Sequence, residues 1–314
     1  MLTARQEEIR DHLLQVGGPR PSVDREMVLG LSRQLQEGVT QRSAPMSPGS
    51  DLWVNKSKIS WAIQCQGLVT AHRKSQFEWS APTAKGKVAH RAMEWIVLAS
   101  RQRPPLELAR DAIDELAGSQ DAPTLAEFLR DMSLSERHEL LREVSDMVTK
   151  VITDWPPMQA HWFPRVETPS RRRIGQITLS ANFDLTFGRP RADEAGVIII
   201  DFKTGNERYD HRQDLHFYAL METLCRGIPP FRVATYYLDS GTWNADDVNE
   251  GLLQSAVIRV LDALDVLVPV ECGRVPTLSP GSHCRYCPDR SDCKPGSEWS
   301  LAHRSPTHAE DGLF

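Results

Sequence analysis

GVIIIDFKTGNERYDHRQDLHFY, residues Gly196 to Tyr218, decides the fold. It opens on Val197, Ile198, Ile199 and Ile200, an unbroken apolar run of the kind that fills a buried strand. Asp201 and Lys203 follow, two residues apart. Successive side chains of a strand point to opposite faces, so these two look out on the same side of its end. Thr204-Gly205 breaks the pattern, and a helical pattern holding Gln213 and Tyr218 begins. A carboxylate beside an ammonium can hold a divalent cation and a water together, the apparatus of metal-assisted hydrolysis. Alone, such a pair also fits a surface ion pair of little energetic weight. The surrounding chain has to decide.

Upstream, Trp162 to Glu167 reads as a strand. Arg173 to Gly188, RIGQITLSANFDLTFG, reads as one or two more. Asp184 sits between Phe183 and Leu185, opposite in facing to those apolar neighbours. Pro190 to Gly196 is a turn, so an antiparallel pairing would bring Asp184 and Asp201 together. Downstream come a helix over 208–226, a strand over 231–238 and a long amphipathic helix over 246–268. The order predicts an α/β core, a mixed sheet flanked by helices, with a helical insertion over about 105–153.

The N-terminal side is helical. Two helices are expected within residues 1–38, with stripes of Ile9, Leu13 and Leu14 and of Met27, Val28, Leu31 and Leu35. Gly38 to Asp51 is rich in Ser, Pro and Gly and reads as a linker. Residues 57–73 look like one amphipathic helix holding Cys65. Residues 86–101 form another, on which His90 and Glu94 share a face. Thr124 to Glu127 and Ser133 to Glu136 both fit capping boxes. The expected organisation is an N-terminal arm and linker over 1–51, a main domain over 52–296 and a polar tail over 297–314.

The net charge of -5 argues against a globally basic nucleic-acid coat protein, but not against a local cationic groove. Arg165 to Arg191 is locally basic, and Arg171, Arg172 and Arg173 are candidate phosphate contacts. No apolar run has the length of a membrane span. The N-terminus does not read as a signal peptide, and the expectation is a cytoplasmic protein. No G-x-x-x-x-G-K-[ST] pattern occurs, so no ATP motor is expected.

Cys284, Cys287 and Cys293 are spaced C-x2-C-x5-C, which points to ligation. Three thiolates leave a tetrahedral site one ligand short. His283 is the local candidate, and Cys65, Cys225 and Cys272 are the distant ones. Zinc and a [4Fe–4S] cluster both fit four thiolates.

Together these motifs resemble the PD-(D/E)XK nuclease superfamily, and more narrowly its iron–sulfur RecB-type members. Those include CRISPR-associated adaptation nucleases and the nuclease domains of recombination helicase–nucleases. The resemblance runs from Ser57 to Cys293. It implies a restriction-endonuclease-like fold and a [4Fe–4S] cluster on Cys65, Cys284, Cys287 and Cys293. It matches Gly86 and His90 to a G-x-x-x-H helix whose histidine binds metal, Asp184 to a strand aspartate, and Asp201 and Lys203 to the D-x-K strand end. Gln213 and Tyr218 match a following helix. Two positions depart from the pattern: Gln66 stands where proline usually follows the early cysteine, and Ala181 where glycine is common. The implied activity is Mg²⁺- or Mn²⁺-dependent hydrolysis of DNA, with His90, Asp184 and Asp201 on the metal and Lys203, Gln213 and Tyr218 assisting. The implied partners are DNA and a helicase or another protein subunit. Two other readings are a non-catalytic DNA-binding or assembly subunit with this fold and a zinc-stapled protein of unrelated function.

Overall fold

A computed structural model describes residues 1–98, 103–191 and 193–303. Residues 99–101 of the expected helix and 304–314 of the expected tail lie outside them. The chain runs α1 (Ala4–Glu8), a π-helical turn (Ile9–Leu13), α2 (Arg25–Ser43), β1 (Leu52–Val54), α3 (Lys56–Gln64), α4 (Gln66–Lys74) and α5 (Ala81–Leu98). It continues α6 (Pro105–Ala117), α7 (Pro123–Asp131), α8 (Leu134–Asp154), β2 (Arg165–Ile174), β3 (Ile177–Gly188) and β4 (Val197–Lys203). The remainder is α9 (Tyr209–Arg226), β5 (Arg232–Tyr237), β6 (Trp243–Asp247), α10 (Glu250–Glu271) and α11 (Lys294–Ala302). Among the described residues no helix is long and apolar enough to cross a membrane.

Two compact units divide this order. The first takes Met1–Arg33, Glu78–Arg172 and Ser180–Ala256. Its sheet runs β3-β4-β5-β6, with β2 also on β3. β3 and β4 are antiparallel, Leu185 facing Ile200 and Gly188 facing Val197. β4 and β5 are parallel, Asp201 facing Thr235 and Lys203 facing Tyr237. Parallel neighbours need a long crossover, and α9 supplies it. β5 is buried at all six of its residues, so Arg232, Val233 and Ala234 sit within the layer as its continuous character requires. The expected mixed α/β sheet flanked by helices is what the chain forms.

Ile198, Ile200 and Phe202 of β4 enter one core with Leu185, Ala234 and Tyr236 and with the apolar stripes of α5, α6, α7 and α8. Trp155, fully buried, closes that core. Its ring lies 5.2 Å from Tyr236, 6.0 Å from Phe202 and 6.2 Å from Phe187. A large ring deleted from such a site leaves a cavity that the strands cannot fill, so Trp155→Ala should cost about 3–5 kcal/mol in a urea unfolding titration. A loss below about 1 kcal/mol would mean that the core can collapse around the gap.

The second unit takes Gln34–Phe77, Arg173–Leu179 and Val257 onward. Here β1 lies parallel to the first residues of β3, Leu52 facing Ile177. Thr178 Oγ1 donates to Asp51 Oδ1 at 3.2 Å, and Gln176 Nε2 donates to Ser50 Oγ at 3.1 Å.

Several expected boundaries move. α2 runs through Gly38 to Ser43, residues expected to be linker, with Val39 fully buried. Gly38 lies against Leu261, where a Cβ would collide with that side chain at 2.7 Å. Tertiary packing thus overrides poor helix propensity. The helix expected over 57–73 is two helices, broken at Cys65, whose backbone is extended at φ -163° and ψ 126°. Ser133 and Glu136 make the expected capping box. Thr124 does not: α7 starts at Pro123, and the Thr124 hydroxyl accepts from Trp79 Nε1 at 3.2 Å. Ala160–Trp162 is a 3-10 turn, with the strand starting later, at Arg165. Trp243–Asp247 is a strand that the sequence pattern hid. Residues 297–302, expected as polar tail, belong to α11.

Candidate active site

The site lies in the first unit, at the end of β4. Lys203 Nζ stands 2.5 Å from Asp201 Oδ2, and the carboxylate is almost wholly buried, at 1% exposure. The two share a face as their spacing demands. Asp184 arrives from the antiparallel neighbour. The backbone register between β3 and β4 is held through Leu185 and Ile200. One residue beyond, the Asp184 side chain takes over as acceptor, and Phe202 N–H donates to its Oδ2 at 2.8 Å. That bond fixes the carboxylate beside Asp201 and leaves Oδ1 turned toward His90, 3.4 Å from Nδ1.

His90 is carried by α5, whose apolar residues Val88, Ala89, Ala92 and Met93 are sunk in the core. Gly86, one turn before it, lets the helix run close to the end of β4: a Cβ there would touch Thr204 Oγ1 at 3.4 Å. Burial pushes the imidazole toward neutrality, and Lys203 acts the same way. Asp184 and Asp201 pull harder in the other direction, so the His90 pKa is raised. His90 therefore feels both strand aspartates and the lysine at once. Glu94 does not pair with it. Glu94 Oε2 takes Arg91 Nη1 at 2.5 Å instead.

A group that sequence reasoning missed completes the cluster. Glu167 on β2 offers a carboxylate oxygen within 4.8 Å of a ligand atom from both His90 and Asp184, a trio able to hold a metal ion. Its backbone sits at φ +43°, a region that a residue with a Cβ adopts only at a cost. Asn182 Nδ2 donates to Glu167 Oε2. Nothing in the local pattern of β2 marks Glu167, since β2–β3 pairing alone brings it in. His211 is a second omission. On α9 its Nδ1 lies 3.2 Å from Tyr237 Oη. Burial lowers its pKa, with Lys203 adding to the effect. One carboxylate or imidazole each from α5, β2, β3 and β4 suits a hard divalent cation, which oxygen and imidazole donors favour.

The other candidate residues lie on α9 and β2. Tyr218 is buried on α9 with its ring 5.2 Å from Phe183, the residue before Asp184. Gln213 is half-buried on the same helix. Arg171 and Arg173 are exposed along β2 and Arg172 is half-buried, with Arg173 Nε donating to Gly175 O at 3.1 Å.

Cys65, Cys284, Cys287 and Cys293 all belong to the second unit and line one cavity of about 250 Å³. Gly296 keeps that cavity open. A Cβ on it would stand 3.3 Å from Cys293 Sγ and 3.4 Å from Cys284 Sγ. Among the described residues no three cysteine sulfurs lie within 4.8 Å of one another, so the thiols share a cavity without converging on a point. Cys65 takes its place because the α3–α4 break turns it there, and its Sγ accepts from Ser279 N at 3.4 Å. Gln66 occupies the first position of α4, which proline favours. Its Oε1 accepts from Thr277 N at 3.0 Å, a tie that proline could not make. Burial raises the Cys287 thiol pKa. Cys225 stands apart, its Sγ 3.2 Å from Ser170 Oγ, and Cys272 donates to Pro45 O at 3.6 Å. His283 lines the cavity with its Nε2 buried and unbonded.

A search of the curated proteins finds no match. Among solved structures the chain is similar to the protein SSO0001 at 11% identity, covering 85% of this chain and 94% of that one with a TM-score of 0.35. It is similar also to an exonuclease candidate from Eubacterium rectale at 10% identity, covering 77% of this chain and 90% of that one with a TM-score of 0.42. The family profile of the PD-(D/E)XK nuclease superfamily matches residues 56–294, a span that holds every carboxylate, imidazole and thiol of the candidate site and the cysteine cavity, and on that match the chain belongs to the PD-(D/E)XK nuclease superfamily.

Proposed function

We propose that the protein is a metal-dependent deoxyribonuclease that removes nucleotides from DNA ends or single strands, in recombinational repair or in defence against foreign DNA. One observation carries the reading: the Asp201–Lys203 pair at 2.5 Å meets Asp184 and His90, from two other elements, at one strand end. A Mg²⁺ or Mn²⁺ ion held there would supply Lewis-acid charge and lower the pKa of a bound water. Asp184, Asp201 and His90 would hold it, with Glu167 as a further donor.

The chain's own groups have separable tasks. Phe202 N–H holds Asp184 still, so the carboxylate need not reorganise when the cation enters. Lys203 Nζ lies on Asp201 and brings an ammonium to the cluster. It would orient the attacking water and donate to a phosphate oxygen as charge builds there. Gln213 and Tyr218 on α9 would support the lysine or a neighbouring phosphate, and Arg171, Arg172 and Arg173 would contact the DNA backbone.

The cysteine cavity fits the narrower RecB-type reading. Four thiolates around about 250 Å³, kept clear by the absent side chain of Gly296, suit a [4Fe–4S] cluster. Four sulfurs on one zinc would stand roughly 3.8 Å apart, given Zn–S bonds of about 2.3 Å. The cluster would act as a staple, tying Cys65 to the 284–293 loop.

The test is digestion of end-labelled DNA. The full chain with Mn²⁺ should shorten the substrate, EDTA should stop it, and Asp201→Ala should stop it with the circular dichroism unchanged. Undiminished digestion by folded Asp201→Ala would remove the reading.

A further inference from the structure

A second cavity in the first unit, of about 570 Å³, lies where the residues after the π-helical turn meet the β3–β4 hairpin. Its size is that of a small-molecule site. Three arginines line it, Arg20, Arg189 and Arg191, and no carboxylate does so among the described residues. Arg189 and Arg191 are exposed, and no described carboxylate pairs with either. Arg20 is different. Its Nη2 donates to Gln15 O at 2.9 Å and its Nη1 to Gly18 O at 3.2 Å, which fixes it as a half-buried charge. Burial lowers the Arg20 pKa, and the nearby charges of Arg232 and Arg191 lower it further. Positive charge is thus gathered here against its own repulsion.

The same wall is aromatic. The Arg189 guanidinium lies 3.5 Å from the centre of the Phe163 ring, and that of Arg20 lies 3.9 Å from the centre of Phe231. Trp162 lines the cavity with its indole N–H buried and unbonded. Phe163 itself is held at φ +52°, a left-handed conformation that places an aromatic ring outward at 37% exposure. Stacked guanidiniums present their edges as forks for phosphate, and aromatic rings present faces to a planar base. A charge-only surface would not need the rings, and an apolar pocket would not tolerate three guanidiniums.

We propose that this cavity is a nucleotide site, taking the phosphate on Arg189 and Arg191 and the base against the ring of Phe163. That assignment stands on the cavity. Whether the nucleotide comes from a DNA strand or is free in solution is a separate matter, and only the first rests on the proposed function. A strand is a reachable source. Ile198, which lines the cavity, is three residues before Asp201 on β4, roughly 10 Å along the strand. The cavity also gives the segment Leu14 to Arg20 a task, since it supplies one wall.

Calorimetry on the full chain in EDTA tests it, with dAMP, deoxyadenosine, inorganic phosphate and a short single-stranded oligonucleotide as probes. The full chain should bind dAMP saturably and deoxyadenosine at least tenfold more weakly. Arg189→Glu/Arg191→Glu should weaken dAMP at least tenfold. Both residues are exposed, so thermal unfolding should barely move. Phe163→Ala should weaken dAMP severalfold and leave phosphate unchanged, which separates base stacking from bulk charge. Parallel loss of the oligonucleotide in both variants identifies the strand as the source, and loss of dAMP alone identifies the free nucleotide. No dAMP binding, or equal binding by all three proteins, overturns the site. The assay holds no divalent ion, so that outcome leaves the reading of Asp184 and Asp201 to the digestion test.

Discussion

Lys203→Met should reduce Mn²⁺-dependent DNA cleavage by on the order of 10² to 10³-fold, the usual loss when one preorganised charge is taken from a developing oxyanion. It should also disturb folding, for a reason visible in the pair itself. Asp201 is 1% exposed and Lys203 18% exposed. Removing one partner of a buried pair leaves the other uncompensated, at about 3–5 kcal/mol. Two further measurements keep chemistry and stability apart. Asp201→Asn added to Lys203→Met should restore the melting temperature, because no buried charge is left over, and should not restore cleavage. Mn²⁺ should raise the melting temperature of Lys203→Met more than that of the parent, because the cation can replace the lost ammonium beside Asp201. A folded Lys203→Met protein that cuts at the parental rate would exclude the lysine from the chemistry.

On the proposed iron–sulfur reading, the parental protein purified anaerobically should be brown and hold iron, and Cys284→Ser should have neither. Cys284 is the most buried of the four cavity cysteines, at 6% exposure, and shares the Gly296 gap with Cys293. Metal bound only by the folded state is folding free energy. Loss of several kcal/mol in a chain of this size lowers the melting temperature by on the order of 10 °C. The damage should begin in the second unit: limited proteolysis should cut first within Gln34–Phe77 or beyond Val257. Stoichiometric zinc in colourless parental protein would replace the iron–sulfur reading with a zinc staple. An unchanged melting temperature and metal content in Cys284→Ser would remove ligation altogether.

The centre of the fold was legible because its signals are local. Four consecutive β-branched residues announce β4, and a D-x-K ending places two charged groups on one face whatever lies around them. The antiparallel neighbour with Asp184 followed from a turn between two apolar runs. What escaped depends on distant pairing. β6, Trp-Asn-Ala-Asp-Asp, is a half-exposed strand at one end of the order β3-β4-β5-β6, with no apolar alternation to report it. Its partner β5 alone makes it a strand. The break at Cys65 was hidden by an apolar stripe, Ile59, Ile63 and Leu68, that continues across it. Ile63, at 43% exposure, turns out to face away from the core. Glu167 was unreadable for the same reason as β6. The alternation before Asp184 begins only at Ile177, and the β2–β3 pairing carries Glu167 to His90. The cysteines divide likewise. Spacing grouped the late three, and the fourth came from the family resemblance; Cys65 lines their cavity, and Cys225 and Cys272 do not.

The central claim is that carboxylates and an imidazole from α5, β3 and β4 serve one divalent ion, and a Mn²⁺ titration followed by electron paramagnetic resonance meets it most directly. The parental chain should take up Mn²⁺ saturably, and Asp184→Asn and His90→Ala, each still folded, should bind it at least tenfold more weakly. Isotherms that superimpose for all three proteins would contradict the account.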